Sequence, residues 1–285
     1  MPPASRPKRV TLCGRWLGKR LRELREGNGF TLEYVAEFMQ RTNGTISRFE
    51  TGHYPIRRPD VLALLDLYGV NDEGERRGLL KLSESVWQTG WWDGFAGDVT
   101  DAFVDFVWLE EQAVEHRLFD NTVLPGLLQT EPYARAVMLA DDPSATKGQI
   151  DRWIELRMKR QSLLDRTDPP RITSVLDEAV LRRQVGASRV MAAQLRHLLA
   201  AAERPCVELR VLPFSAGAHA SPMGSFNVFG MEEPYPEVAY VETLKGALYI
   251  EPPDTAPILK RYDWLRKISL DGEASAEFIS ALIKE

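Results

Sequence analysis

The stretch 31–52, TLEYVAEFMQRTNGTISRFETG, leaves a chain little conformational freedom: it predicts two short helices joined by a tight turn. Thr31 can cap the first helix by accepting a hydrogen bond from a free first-turn N–H. Phe30 just before the cap and Val35 inside have hydrophobic-staple spacing. Val35, Phe38 and Met39 continue an apolar stripe at helical period. Gln40 and Arg41 make the turn, and Thr42 is a second N-cap. The second helix, 43–51, puts Ile46 and Phe49 on one side and Asn43, Gly44, Ser47 and Arg48 on the other. Gly52 closes it, as the residue most tolerant of a left-handed cap.

The outward face carries the chemistry of base recognition. Asn pairs bidentately with adenine and Arg with guanine in the major groove, which makes Asn43 and Arg48 candidate base readers. Gly44 lets the helix backbone come close to a target. The hydroxyls of Thr31, Thr42, Thr45 and Ser47 suit phosphates or bases. A polar helix face is also what any small bundle shows to water, and the pattern alone leaves both readings open.

With 17–26 before it and 57–68 after it, this stretch resembles the helix-turn-helix of the phage-repressor (Xre/Cro/C1) family. The likeness rests on Thr31-x3-Val35-Ala36 and on Thr42-x3-Ile46-Ser47-Arg48-Phe49-Glu50-x-Gly52. It implies a five-helix, lambda-repressor-like domain that binds double-stranded DNA as a homodimer. Base reading then falls to Asn43, Gly44 and Arg48, with Thr31, Thr42, Thr45 and Ser47 nearer the phosphates. An ion pair between Arg25 and Glu50 is implied by the same resemblance. Two positions depart from the family: Gln40 stands where the turn usually has Gly, and Gly44 stands where a long polar reader is common.

At 285 residues the chain has length for about two domains. No run of about 18 apolar residues occurs, so no membrane span is expected. Residues 1–9 lack the apolar core of a secretory signal, and a cytoplasmic protein is the simplest expectation. Cys13 and Cys206 are far apart, with no metal-ligand spacing. Charge is unevenly divided. Residues 1–70 hold 12 Lys and Arg against 7 Asp and Glu, a net +5, and the remainder carries −10, which gives −5 overall. A basic head on an acidic body suits a protein that offers one end to nucleic acid. Residues 1–14 read as a disordered tail, whose Arg6, Lys8 and Arg9 either stay solvated or touch DNA.

The expected organisation is a DNA-binding domain at 15–72, a connecting helix and linker at 73–98, and a C-terminal domain at 99–285. Arg57 and Arg58, in the loop after the helix pair, are phosphate-contact candidates or plain surface charge. Trp91, Trp92 and Phe95 either stack a ligand or wedge between domains. Residues 103–118 read as one helix. In the long helix 147–166 the basic face (Arg152, Arg157, Lys159, Arg160, Arg166) is expected in solvent. Strands are expected at 171–176, 207–212, 226–229, 238–241 and 247–250, with helices around them. The whole is mainly α, with an α+β C-terminal domain holding a small antiparallel sheet.

PGLLQTEPYARA (125–136), RMKRQSLL (157–164), DEAVLR (177–182), Val211-Leu212-Pro213 and Ser225-Phe226 together resemble a C-terminal domain of actinobacterial regulators. It is the Scr1-type, antitoxin-like domain of unknown function, DUF5753-like. The resemblance implies a transcriptional regulator whose C-terminal domain mediates dimerisation and senses a small protein encoded nearby or a small-molecule effector. The alternative is an antitoxin-like protein that binds such a partner and uses DNA binding for autoregulation.

No nucleophile elbow, zinc-protease motif, P-loop or dinucleotide fingerprint occurs, and the four His stand apart. The loop 214–221, with Ser215, His219 and Ser221, is the nearest approach to a nucleophilic pair. An enzyme is therefore not expected, nor a cofactor or a metal. Glu178, Arg182, His219 and Tyr240 are candidate contacts to a ligand or partner near that loop.

Overall fold

The computed structural model describes residues 10–284. The chain divides into two compact units. One runs to Trp91 and also takes in Glu233–Tyr235; the other comprises Trp92–Glu232 and Pro236–Glu285.

The first unit is a bundle of five helices: α1 (Leu12–Gly27), α2 (Leu32–Phe38), α3 (Asn43–Glu50), α4 (Arg58–Leu67) and α5 (Glu73–Ser85). Its core is set by Trp16, Leu17, Val35, Ile46, Leu65 and Leu82, all buried. Residues 11–14, expected in the tail, belong to α1 and its cap. Thr11 caps α1 by accepting from the Gly14 amide at 3.1 Å, and Leu12 and Cys13 are buried. Arg6, Lys8 and Arg9 lie outside the described residues. The segment read as a connecting helix is a bundle member. Asp72 caps α5, accepting from Glu75 N at 2.7 Å, and α5 packs on α1 and α4 through buried Leu79 and Leu82. Glu233–Tyr235 belong here because the Tyr235 hydroxyl bonds Ser85 Oγ at 2.7 Å, with the Lys81 ammonium over its ring.

The second unit opens with α6 (Asp101–Gln112) and holds a six-stranded sheet. Its strands are β1 (Glu115–Asp120), β2 (Arg171–Asp177), β3 (Val207–Leu212), β4 (Phe226–Gly230), β5 (Val238–Thr243) and β6 (Gly246–Ile250), in the order β3-β2-β1-β4-β5-β6. The expected antiparallel sheet is in fact mixed. β1 pairs parallel with β2, and β2 with β3, while β4, β5 and β6 add on antiparallel. The connections explain this. Helices α7 (Glu131–Asp141) and α8 (Lys147–Gln161) carry the chain from β1 to β2, and α9 (Glu178–Arg182) and α10 (Ser188–Ala202) carry it from β2 to β3. Such crossovers return a strand in the same direction, whereas a short link reverses it.

The central strands are covered on both faces. Leu118, Ile172 and Leu209 pack with α10 and with α12 (Gly272–Lys284); Phe119, Val175 and Val228 pack with α11 (Ala256–Ile268) through Tyr262 and Leu265. β1 itself corrects the reading of 103–118 as one helix. The helix stops at Gln112, Ala113 is extended, and the next residues pair with strands on both sides. Among the described residues no helix is long and apolar enough to cross a membrane.

Candidate nucleic-acid interface

Each helix of the pair starts on a hydroxyl. Thr31 Oγ1 accepts from Tyr34 N at 3.1 Å, and Thr42 Oγ1 accepts from Thr45 N at 3.2 Å. In the turn Gln40 takes the left-handed conformation, φ 53°, the one described non-glycine residue to do so, and Arg41 N closes the helix end on Ala36 O at 2.9 Å. So the left-handed turn is kept although its usual glycine is not. Phe30 lies against Tyr34, ring centroids 4.9 Å apart. Phe38, the last residue of α2, is 51% exposed and so lies outside the expected apolar stripe.

α3 is fastened to α1 by backbone contact and by charge. A Cβ on Gly18 would sit 2.6 Å from the carbonyl oxygens of Phe49 and Glu50. Gly52, at φ +72°, lies so close to Gly14 that a Cβ would come within 2.7 Å of its carbonyl carbon. No residue larger than glycine fits such a crossing without displacement. Arg25 Nε donates to Glu50 Oε1 at 2.6 Å, its Nη2 to Oε2 at 3.0 Å, and its Nη1 to Phe30 O at 2.9 Å. One buried guanidinium thus ties the end of α1, the approach to α2 and the end of α3. Sequence reading singled out Arg25 and Glu50 but not Gly14 and Gly18, since glycines in a helix signal close packing only once the neighbour is known.

Ile46 and Phe49 are buried, and the opposite side of α3 is open. Asn43, Gly44 and Arg48 are exposed, and Thr45 and Ser47 are half-buried. Arg48 Nε donates to Gly44 O at 3.1 Å, which lays the side chain back along the helix, and Arg48 forms no ion pair among the described residues. The Thr42 and Thr45 hydroxyls bond each other at 3.0 Å, so one of the two protons remains to donate outward. A Cβ on Gly44 would meet only Thr42 Oγ1, at 3.9 Å, so packing does not demand a glycine there. Arg57 lies over the Trp87 ring at 5.2 Å, and Arg58 is paired with Glu84.

A family described as a helix-turn-helix domain matches residues 16–79, and a domain of unknown function (DUF5753) matches residues 103–281. The chain belongs to the DUF5753 family. No curated protein and no solved structure matches it. The α1–α5 bundle is therefore a helix-turn-helix domain, an element whose second helix docks in DNA. The DUF5753 region is the sheet unit.

Within that DUF5753 region the four candidate contacts do not form one site. Glu178 Oε1 accepts from Arg182 Nε, and its Oε2 accepts from Phe214 N at 2.8 Å, so this carboxylate pins the chain after β3 to α9. His219 Nε2 stands 3.7 Å from Asp177 Oδ2, and its Nδ1 accepts from Ser221 N at 3.3 Å. Tyr240 is elsewhere, on β5. It packs its ring 4.6 Å from Phe106 and faces a cavity with Glu110, Asp120 and Arg157; burial raises the pKa of its hydroxyl. The basic face is solvated only in part: Lys159 and Arg166 are exposed as expected, whereas Arg152 and Arg157 are half-buried and Arg160 is buried. Arg152 is held by Asp98 at 3.0 Å, Arg160 by a buried Glu110, and Arg157 faces the same cavity as Tyr240.

Proposed function

We propose that the protein is a cytoplasmic, sequence-specific transcriptional regulator that binds double-stranded DNA through α3. The observation that carries this is the open face of Asn43, Gly44 and Arg48 on a helix anchored by Gly18 and by Arg25–Glu50. Asn43 and Arg48 read base edges and Gly44 admits the backbone, while Thr31, Thr42, Thr45, Ser47, Arg57 and Arg58 hold phosphates. The capping hydroxyls suit this task, because an oxygen that accepts from the backbone still has a proton to donate. The protein works as a homodimer on two half-sites about one helical turn apart. The DUF5753 region supplies the dimer contact and senses an effector or a partner protein. It carries out no catalysis and needs no cofactor.

Selection of genomic DNA fragments by the purified full chain tests this, with the Asn43→Ala/Arg48→Ala double variant as control. A short palindrome enriched by the wild type and lost in the variant is the expected result. On that palindrome Arg48→Ala alone costs about 1–3 kcal/mol and relaxes one base position. Equal weakening on every sequence would make Arg48 a phosphate contact instead. No enrichment by the folded protein would remove the reading.

A further inference from the structure

The sheet unit contains two adjoining hollows of about 400 and 470 Å³, which share Phe103, Met138, Asp141, Arg157, Arg160 and Glu242. This is the size range of small-ligand sites. The PGLLQ turn forms part of the wall. Gln161 Nε2 donates to Gly126 O at 3.0 Å and to Gln129 O at 2.7 Å, and a Cβ on Gly126 would come 3.2 Å from Arg157 Cδ and Arg160 Nη2. The turn is thereby pressed onto two arginines that differ sharply in their partners.

Arg160 is fully engaged. It makes paired bonds to Glu110 at 2.6 and 2.8 Å and lies over the rings of Phe103 and Phe106. Arg157 donates to the neutral Gln129 Oε1 at 2.6 Å and forms no ion pair among the described residues. Burial, with Arg160 beside it, brings its pKa down to about 10. At the end of β1, Asp120 Oδ2 is buried with no hydrogen-bond partner among the described residues, and burial brings this carboxyl up to about 8. A half-buried guanidinium without a counter-ion and a carboxylate oxygen buried without a partner are both costly, and both face the same hollow.

We infer that this cavity binds a small planar aromatic monocarboxylate, with the ligand carboxylate on Arg157, Asp120 Oδ2 as a second hydrogen-bond partner, and the ring against Phe103 and Tyr240. A single negative charge is what the site can take. Arg157 is the one cation without a carboxylate, while Glu110, Asp141 and Glu242 line the same space and oppose a dianion such as a phosphate monoester. The aromatic side chains supply the apolar contact. The inference gives the effector-sensing part of the proposed function a site and a ligand class, and rests on that reading only for its regulatory meaning.

The test uses the full chain without DNA. Indole-3-acetate, phenylacetate and 4-hydroxybenzoate are each titrated by calorimetry beside the matching carboxamide. At least one acid should bind, with its amide weaker by about ten-fold or more, and Arg157→Gln should remove that preference. The methyl resonance of Met138, which lines both hollows, should shift with the binding acid at concentrations where the same amount of its amide leaves it little moved. Should Arg157→Gln fail to fold, the acid–amide comparison and the Met138 signal on the wild type decide. Equal binding of acid and amide, binding without a Met138 shift, no binding by any of the three acids, or a preference that survives in folded Arg157→Gln would each overturn the assignment. Fragment selection is read separately, so a failure of DNA recognition leaves the cavity result standing, and the reverse.

Discussion

Gly44 is the second residue of α3, in open space and without a left-handed backbone. Glycine there costs helix stability and gains no packing, so Gly44→Ala is expected to stabilise the fold by roughly 0.5 kcal/mol in urea denaturation. The same methyl group would intrude between helix and DNA, weakening binding to the selected palindrome by about 1 kcal/mol or more. Opposite signs in the two measurements mark a residue kept for contact; equal binding with the gain in stability would leave Gly44 without a role. Gln40 is the converse case. Its φ of 53° is a conformation in which a side chain is strained. Gln40→Gly should raise stability by roughly 0.5–1 kcal/mol and leave DNA binding unchanged, since Gln40 belongs to the turn and not to the reading face.

At the scale of elements, recognition depends on how firmly α3 is held. Gly18→Val would drive a branched side chain into the carbonyls of Phe49 and Glu50, where even a Cβ would stand at 2.6 Å. A loss of about 2–3 kcal/mol in stability is expected. Glu50→Ala leaves the Arg25 guanidinium buried without its carboxylate, for a loss of about 3 kcal/mol. Both should weaken DNA binding without touching DNA, and a wild-type denaturation midpoint in either variant would contradict the role given to this crossing. The helix pair was legible in the sequence because its signals are local: two threonine caps, a turn and one apolar face. β1 was not legible. Nothing between Gln112 and Glu115 is a glycine or proline, so residues 103–118 carry no local stop signal. What ends α6 is the pairing of residues 115–120 with β2 and β4, which come from far along the chain.

Across the whole molecule, two buried groups oppose each other in pH dependence. His116, at the centre of β1, has its pKa brought down to about 4 by burial, against pull from Glu110 and Glu115 the other way. The folded state therefore binds its proton more weakly than the unfolded chain, and stability falls as pH drops from 6.5 towards 4. Asp120 is held up at about 8 from an ordinary 3.8, so the folded state keeps a proton that the unfolded chain releases, and stability falls as pH rises from 3.8 towards 8. Between pH 4 and 6.5 the two slopes cancel; between 6.5 and 8 only the Asp120 loss remains. Thermal denaturation of the wild type should show a plateau followed by a decline. Asp120→Asn should instead show stability rising by about 3 kcal/mol up to pH 6.5 and level above it. A variant profile that follows the wild type would assign the decline to a group other than Asp120.

By itself the sequence determined the helix pair, its caps, the polar face of α3 and the division into a basic head and an acidic body. Each is set by neighbours within a turn or two, or by composition. Tertiary structure alone decided the direction of β2 and β3, the central place of β1, and the fate of the α8 arginines. Arg152, Arg157 and Arg160 look alike on a helical face, yet one meets Asp98, one only Gln129, and one Glu110. The partners that separate these three fates lie 28 to 54 residues away, and no local pattern encodes them.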